Sequence, residues 1–167
     1  MSEALDILIV DDNEDDVFLL EQAFRKANSN HRLQIARDGR EAIGFLEDDI
    51  SGRPFPDLML LDLNMPRMNG FETLKWIRQD RSCSRLMVHV LTASARSADV
   101  EMAYELGANS FTVKPTRLYD LVDFVGALCH WHRFIAVAAK PEMEHSPTEP
   151  MKENGDPRLK MAEAAHF

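Results

Sequence analysis

Five short apolar runs, each closed by a polar residue and followed by a segment of helical spacing, constrain this chain more than any other feature. The runs are residues 5–10, 32–36, 58–62, 87–91 and 110–113. The first and third are almost continuously apolar, as strands buried on both faces are. The second alternates Leu33 and Ile35 with polar neighbours. Between the runs, apolar residues recur at three- and four-residue spacing: Val17, Leu20, Phe24 and Ala27 from Glu14 onward, then Ala42, Ile43 and Leu46 within residues 39–47. Phe71, Leu74 and Ile77 mark a third helix from about Asn69. Residues 97–106 form a fourth, stopped by Gly107. Leu118, Leu121, Val122, Val125 and Cys129 trace the inner face of a fifth. Asn28, Ser29 and Asn30 end the first helix, and residues 48–56, with Gly52, Pro54 and Pro56, read as a loop. Strands alternating with helices predict an α/β fold, an open parallel sheet covered on both faces. Right-handed crossovers then bring every strand's carboxyl end to one edge.

That edge collects the chemistry. The first strand ends in Asp11 and Asp12, the third in Asp62, the fourth in Thr92 and the fifth in Lys114. Asp62 interrupts the stretch LMLLDLNMPRMNG, residues 58–70, where open α/β sheets place ligands. Carboxylates crowded to about 4 Å repel by roughly 1 to 4 kcal/mol per pair, so the cluster calls for a cation. Mg²⁺ suits oxygen ligands in octahedral geometry and keeps sites for phosphate oxygens. Calcium in an EF-hand does not fit DDNEDD, because loop positions six and twelve hold Asp16 and Gln22. Beside a bound cation, Asp62 becomes a nucleophile toward phosphorus. Lys114 would pair with one phosphoryl oxygen and the Thr92 hydroxyl would bond another.

The rest of the composition removes other classes. A net charge of −9 disfavours nucleic acid as a partner. Cys83 and Cys129 form neither a disulfide framework nor a zinc cluster, and read as thiols of a reducing cytoplasm. The first ten residues carry acids where a signal peptide needs basic residues, and no apolar run suffices to span a bilayer. Residues 140–167, rich in Pro, Glu and Lys, read as a disordered tail after a domain of residues 1–139. Glu14, Asp15 and Asp16 read as first-turn acids favoured by the helix dipole. His89 reads as a packed histidine, and His130 and His132 as surface or interface residues.

VDDNE at Val10, LLDLNMPRMNG at Leu60, LTAS at Leu91 and FTVKP at Phe111, in this order and spacing, resemble the receiver domain of bacterial response regulators. The resemblance covers about residues 5–135. It implies a doubly wound (βα)5 fold of the flavodoxin and CheY type with strand order 2-1-3-4-5. It further implies a single-domain response regulator of a two-component phosphorelay, acting in the cytoplasm, whose Asp62 accepts a phosphoryl group from a sensor histidine kinase. DDNEDD and DLNMPR look most like regulators paired with bacteriophytochrome-type kinases. By the same resemblance Asp12 is the main ligand of Mg²⁺ (or Mn²⁺), assisted by Asp11, Asp62 and the Asn64 backbone carbonyl. Phe111 takes the aromatic switch position coupled to Thr92, and the Lys114–Pro115 peptide is expected to be cis.

Two other functions compete. An Asp-nucleophile phosphatase needs Mg²⁺ and a Lys too, but carries its nucleophile in Asp-x-Asp after the first strand, where this chain reads Asp11-Asp12-Asn13. A receiver-like scaffold working without phosphorylation would have no use for the complete site. Neither GxGxxG nor Walker A is present to support nucleotide binding. With self-catalysed phosphorylation as its only chemistry, the protein is expected to act by contact: with a copy of itself through helix four, strand five and helix five, with a downstream protein, or with a phosphotransfer partner. Phe124, Leu128, Trp131, Phe134 and Ile135 are the apolar residues expected on its surface.

Overall fold

The computed structural model describes residues 4–27, 30–48, 52–132 and 134. The expected tail therefore lies outside the described residues. Five strands, β1 (Asp6–Val10), β2 (Arg32–Ala36), β3 (Leu58–Leu61), β4 (Met87–Thr92) and β5 (Ser110–Val113), form one parallel sheet in the order β2-β1-β3-β4-β5. They alternate with α1 (Glu14–Lys26), α2 (Gly39–Glu47), α3 (Gly70–Gln79), α4 (Ser97–Glu105) and α5 (Leu118–His132).

Each face of the sheet has its own core. Leu8, Val10, Met59, Leu61, Val88 and Val90 pack against Ala42, Leu46, Leu74, Ile77 and Ala103 of α2, α3 and α4. Ile7, Ile9, Leu58, Leu60 and Leu91 pack against Val17, Leu20, Phe24, Leu121 and Val125 of α1 and α5. Central β1 and β3 are buried at every residue, whereas the outer strands β2 and β5 are mostly half-buried. This explains why the first and third runs show no alternation: with helices on both faces, neither parity of side chain meets water.

The helix ends follow from their sequences. Asn13 caps α1, its side chain accepting from the Asp15 and Asp16 amides at 3.0 and 3.2 Å. Asn69 and Glu72 make a reciprocal capping box at the start of α3. Helix α4 has Arg96 at its N-cap position, without a side-chain capping bond, and buries only Asp99 and Ala103. Gly107, at φ 94°, takes the chain out of α4 in a conformation that favours glycine.

The edge remote from the strands' carboxyl ends is tied by polar contacts. Asp6, buried at the start of β1, takes two bonds from Arg32 at 2.5 and 2.7 Å. Arg78, half-buried at the end of α3, donates to the carbonyls of Gly107, Ser84 and Leu86 and to Asn109 Oδ1, at 2.9 to 3.1 Å. Burial lowers the Arg78 pKa from its ordinary value.

Four expectations are corrected. Leu128 and His132 are buried on α5, since Leu121, Val125, Leu128, Cys129 and His132 recur at three- to four-residue spacing on one face. His130 and Trp131 are exposed and Phe134 more so, whereas Phe124 is half-buried with its ring centroid 5.2 Å from that of His89. Ile135 lies outside the described residues. No described peptide is cis, Lys114–Pro115 included, so this proline keeps the trans form that X–Pro bonds favour by about 0.5 to 1 kcal/mol. Both cysteines are buried thiols, and burial pushes Cys83 up to about 12. No helix among the described residues is long and apolar enough to cross a membrane.

His89 is buried in β4, one ring nitrogen 3.0 Å from Thr112 Oγ1 and the other at the Ser110 hydroxyl. Burial lowers its pKa from 6.5 to about 4. The unfolded chain takes up this proton below about pH 6.5 and the folded chain only below about 4. Stability from the neutral ring is thus complete above pH 6.5 and lost as pH falls toward 4, a swing on the order of 3 kcal/mol. Urea melts should show His89→Gln losing less stability than wild type between pH 7 and 4; equal slopes would mean that His89 does not titrate in this way.

Candidate functional site

Parallel register brings the polar strand ends together. Val10 pairs with Leu61, so Asp11 and Asp62 leave adjacent strands side by side, and the Asp62 amide donates to the Val10 carbonyl at 2.9 Å. Thr92 pairs with Val113, and the Lys114 amide donates to the Thr92 carbonyl at 2.7 Å. Carboxylate oxygens of Asp11, Asp12 and Asp62 all lie within 4.8 Å of one another. Asp11 and Asp62 are buried and Asp12 is exposed, which leaves an approach from solvent.

Lys114 reaches into this cluster with a side chain only 12% exposed. Its Nζ lies 2.8 Å from Asp11 Oδ2, 2.8 Å from Asp16 Oδ2 and 3.8 Å from Asp62 Oδ2. Burial works against the ammonium, but its bonds to Asp11 and Asp16 and the charges around it prevail, and its pKa is raised. Asp11 has both oxygens engaged, Oδ1 accepting from the Asn13 amide at 3.0 Å and Oδ2 facing Lys114. Burial still raises the Asp11 pKa, outweighing Lys114. Asp62 differs: its Oδ1 is buried with no hydrogen-bond partner among the described residues.

The loop from β3 to α3 is clamped where it leaves Asp62. Arg67, at φ 64°, sets its guanidinium against the buried carboxylate of Asp38, a charge contact rather than an aligned hydrogen bond. The Asp38 side chain also caps α2 through the Glu41 amide at 2.9 Å. The Gly39 amide donates to the Met68 carbonyl and the Gly70 amide to the Leu63 carbonyl, at 3.2 and 3.1 Å. Gly70 is required by close approach: a Cβ there would stand 2.2 Å from the Asp62 carbonyl oxygen and 2.7 Å from Leu63 Cα.

Thr92 is fully buried, its Oγ1 3.4 Å from the Ser94 amide and 3.5 Å from Asn64 Nδ2. Phe111 is half-buried and pairs in register with Val90, two residues before Thr92, so Phe111 and Thr92 share a face of the sheet. Beyond Thr92, the buried Asp99 holds Arg96 through two bonds, at 3.0 and 2.8 Å, and accepts from the Ser94 hydroxyl. These bonds hold the Asp99 pKa below the usual carboxylate value.

Asp11, Asp12, Asp62 and Lys114 meet at one point, while Thr92, Phe111 and Asn64 stand at the adjoining strand ends and loop. The residue that strand-end reasoning passed over is Asp16, whose first-turn position accounts for its charge without revealing its partner. Its place in the first turn of α1, just after the strand-end acids, is the one available hint.

The three acids fit a divalent cation, because each offers a carboxylate oxygen within 4.8 Å of the others and Asp62 keeps a buried oxygen without a hydrogen-bond partner among the described residues. Residues 7–126 match the family model of the response regulator receiver domain. The response regulator Rcp1 of Synechocystis is 36% identical over 136 residues, covering 80% of this chain and 92% of that protein. Its Mn²⁺-bound crystal structure matches with a TM-score of 0.71, at 35% identity over 81% of this chain and 99% of that one. The phosphorylated cyanobacterial phytochrome response regulator RcpA matches at 0.72, with 31% identity over 84% and 100% of the two chains. The bacteriophytochrome response regulator RtBRR matches at 0.66, with 30% identity over 84% and 86%.

Gly70→Ala should destabilise the protein by about 1 to 3 kcal/mol, the usual cost of forcing an atom into packed structure. Chemical denaturation measures this, and an unchanged midpoint would show that the backbone around Asp62 yields freely.

Proposed function

The chain belongs to the response regulator receiver family, a component of two-component phosphorelay signalling, and from that premise we propose that Asp62 accepts a phosphoryl group from a phosphohistidine of a sensor histidine kinase. The observation that carries this reading is the condition of Asp62, buried with one oxygen lacking a partner and the other 3.8 Å from an ammonium. An oxygen already bonded to protons would be a poor nucleophile; this one is held ready.

In the transfer, an Asp62 oxygen bonds to phosphorus as the bond from phosphorus to the histidine nitrogen breaks. The chain's work is to place and neutralise the phosphoryl oxygens. Lys114 pairs with one oxygen and the Thr92 hydroxyl donates to another. Asp11, Asp12, Asp62 and the Asn64 backbone carbonyl would hold Mg²⁺ or Mn²⁺, which supplies positive charge for the phosphoryl oxygens and relieves the repulsion among the acids. The product is an acyl phosphate on the protein itself, so the chain acts as a signalling acceptor rather than as an enzyme with external turnover.

The signal leaves through Thr92. Its resting contacts are long, 3.4 and 3.5 Å, and are readily given up for a phosphoryl oxygen. Phe111, on the same sheet face, then moves into the space that Thr92 vacates. The surface biased by this shift is formed by α4, β5 and α5, where Met102, Tyr104, Val113 and Tyr119 are exposed. It suits a second copy of the chain, a downstream protein or a phosphotransfer partner. Likeness to RcpA and RtBRR supports a bacteriophytochrome as the kinase. We take residues 1–139 as the receiver unit, and the buried thiols suit the cytoplasm.

Acetyl phosphate with Mg²⁺ should label wild type, with far less label when the metal is chelated and none on Asp62→Asn. Equal label on both proteins would remove Asp62 as the acceptor. A phosphoryl mimic bound at Asp62 should shift the backbone amide resonances of residues 92–115; unchanged spectra there would refute the route through Thr92 and Phe111.

A further inference from the structure

We propose that Asp16 is a positioning residue for phosphoryl capture: it holds the Lys114 ammonium off Asp62 in the resting protein and so slows gain of the phosphoryl group without altering its loss. This deepens the reading of Asp62 as phosphoacceptor and rests on it. Of the three carboxylates around Lys114 Nζ, two are at 2.8 Å, and Asp62, at 3.8 Å, is the one it does not bond.

Asp16 stands apart from the other two. Asp11 and Asp62 end adjacent strands and belong to the group of carboxylates within 4.8 Å of one another, whereas Asp16 comes from the first turn of α1 and lies outside that group. A lysine moving toward Asp62 therefore stays beside Asp11 and surrenders Asp16. Lys114 and Asp16 border a cavity of about 330 Å³ walled by Leu19, Leu20, Leu91, Val113 and Leu121, so the lysine stem is not enclosed by packed atoms on that side.

The kinetic consequence is one-sided. Before capture Lys114 is bonded to Asp16; in the transition state and in the phosphorylated protein it is bonded to a phosphoryl oxygen. An interaction present only in the starting state raises the barrier that leads out of it. Loss of the phosphoryl group begins with Lys114 already on the phosphoryl oxygen, so Asp16 does not enter that barrier. The Asp16 side chain is 34% exposed, and a solvent-screened ion pair of this kind is worth about a two- to fivefold change in rate.

The test uses the full chain at saturating Mg²⁺, with acetyl phosphate as donor. Rate constants for labelling, and for loss after donor removal, are measured for wild type, Asp16→Asn and Asp15→Asn, and for the first two with Lys114→Gln added. Asp16→Asn should label about two- to fivefold faster than wild type with the same rate of loss. Asp15→Asn, which removes an exposed acid of the same turn, should behave as wild type, and Asp16→Asn should change nothing once Lys114 is Gln. The inference is overturned if Asp16→Asn labels no faster, or if its acceleration persists without Lys114 and so reflects only reduced repulsion of an anionic donor. Either failure leaves wild-type labelling at Asp62, and with it the assignment of the acceptor, intact.

Discussion

A parallel sheet buried on both faces can place charged groups only where its strands end, and the rest of this structure depends on that restriction. β1 and β3 have no solvent-facing side along their length, so Asp11 and Asp62 sit just beyond the last hydrogen-bonded pair of the ladder. The backbone is already satisfied there, and the side chains can face one another without displacing core residues. The same restriction explains Asp6 at the opposite edge, where a buried carboxylate is tolerated because Arg32 binds both of its oxygens.

Gathering the charges creates a surplus that the chain alone does not cancel. Four carboxylates gather at this edge with one ammonium: Asp11, Asp16 and Asp62 face Lys114, and Asp12 joins Asp11 and Asp62. The raised pKa of Asp11 records the cost, since burial there outweighs the help from Lys114. A site in this condition favours any positive charge that reaches it, and Asp12 lies open to solvent where a cation would arrive. The lysine is shared between Asp11 and Asp16 rather than dedicated to Asp62.

The two sides of the sheet differ in how firmly they are held. β1 and β3 carry the packed centre, and the loop after Asp62 is braced by Asp38, Arg67 and the close approach of Gly70. On the other side, α4 lacks an N-cap side chain and buries little, β5 is mostly half-buried, and the turn between β4 and α4 rests on Ser94, Arg96 and Asp99. A rearrangement that begins at Thr92 meets polar contacts that can be exchanged rather than a packed core that must be opened. The proposed acceptor, Asp62, thus sits on the firmly held half and its proposed readout on the loosely held half.

Most of the fold was legible because local patterns and global packing agree. The apolar runs mark the strands to within a residue or so, and Asn13, Asn69 and Gly107 mark helix ends through capping chemistry that needs no tertiary information. Helix α5 shows where this reasoning weakens: it is rich in apolar residues on several sides, so spacing alone did not decide that Leu128 and His132 face the core. The sequence by itself determined the strand ends, and with them Asp11, Asp12, Asp62, Thr92 and Lys114, because parallel topology leaves those residues only one edge to occupy. Tertiary structure alone decided which carboxylates hold the lysine. Asp16 and Lys114 lie 98 residues apart, and their pairing depends on how α1 settles against α5 beside the end of β5, a distance of a few ångströms that no local pattern encodes.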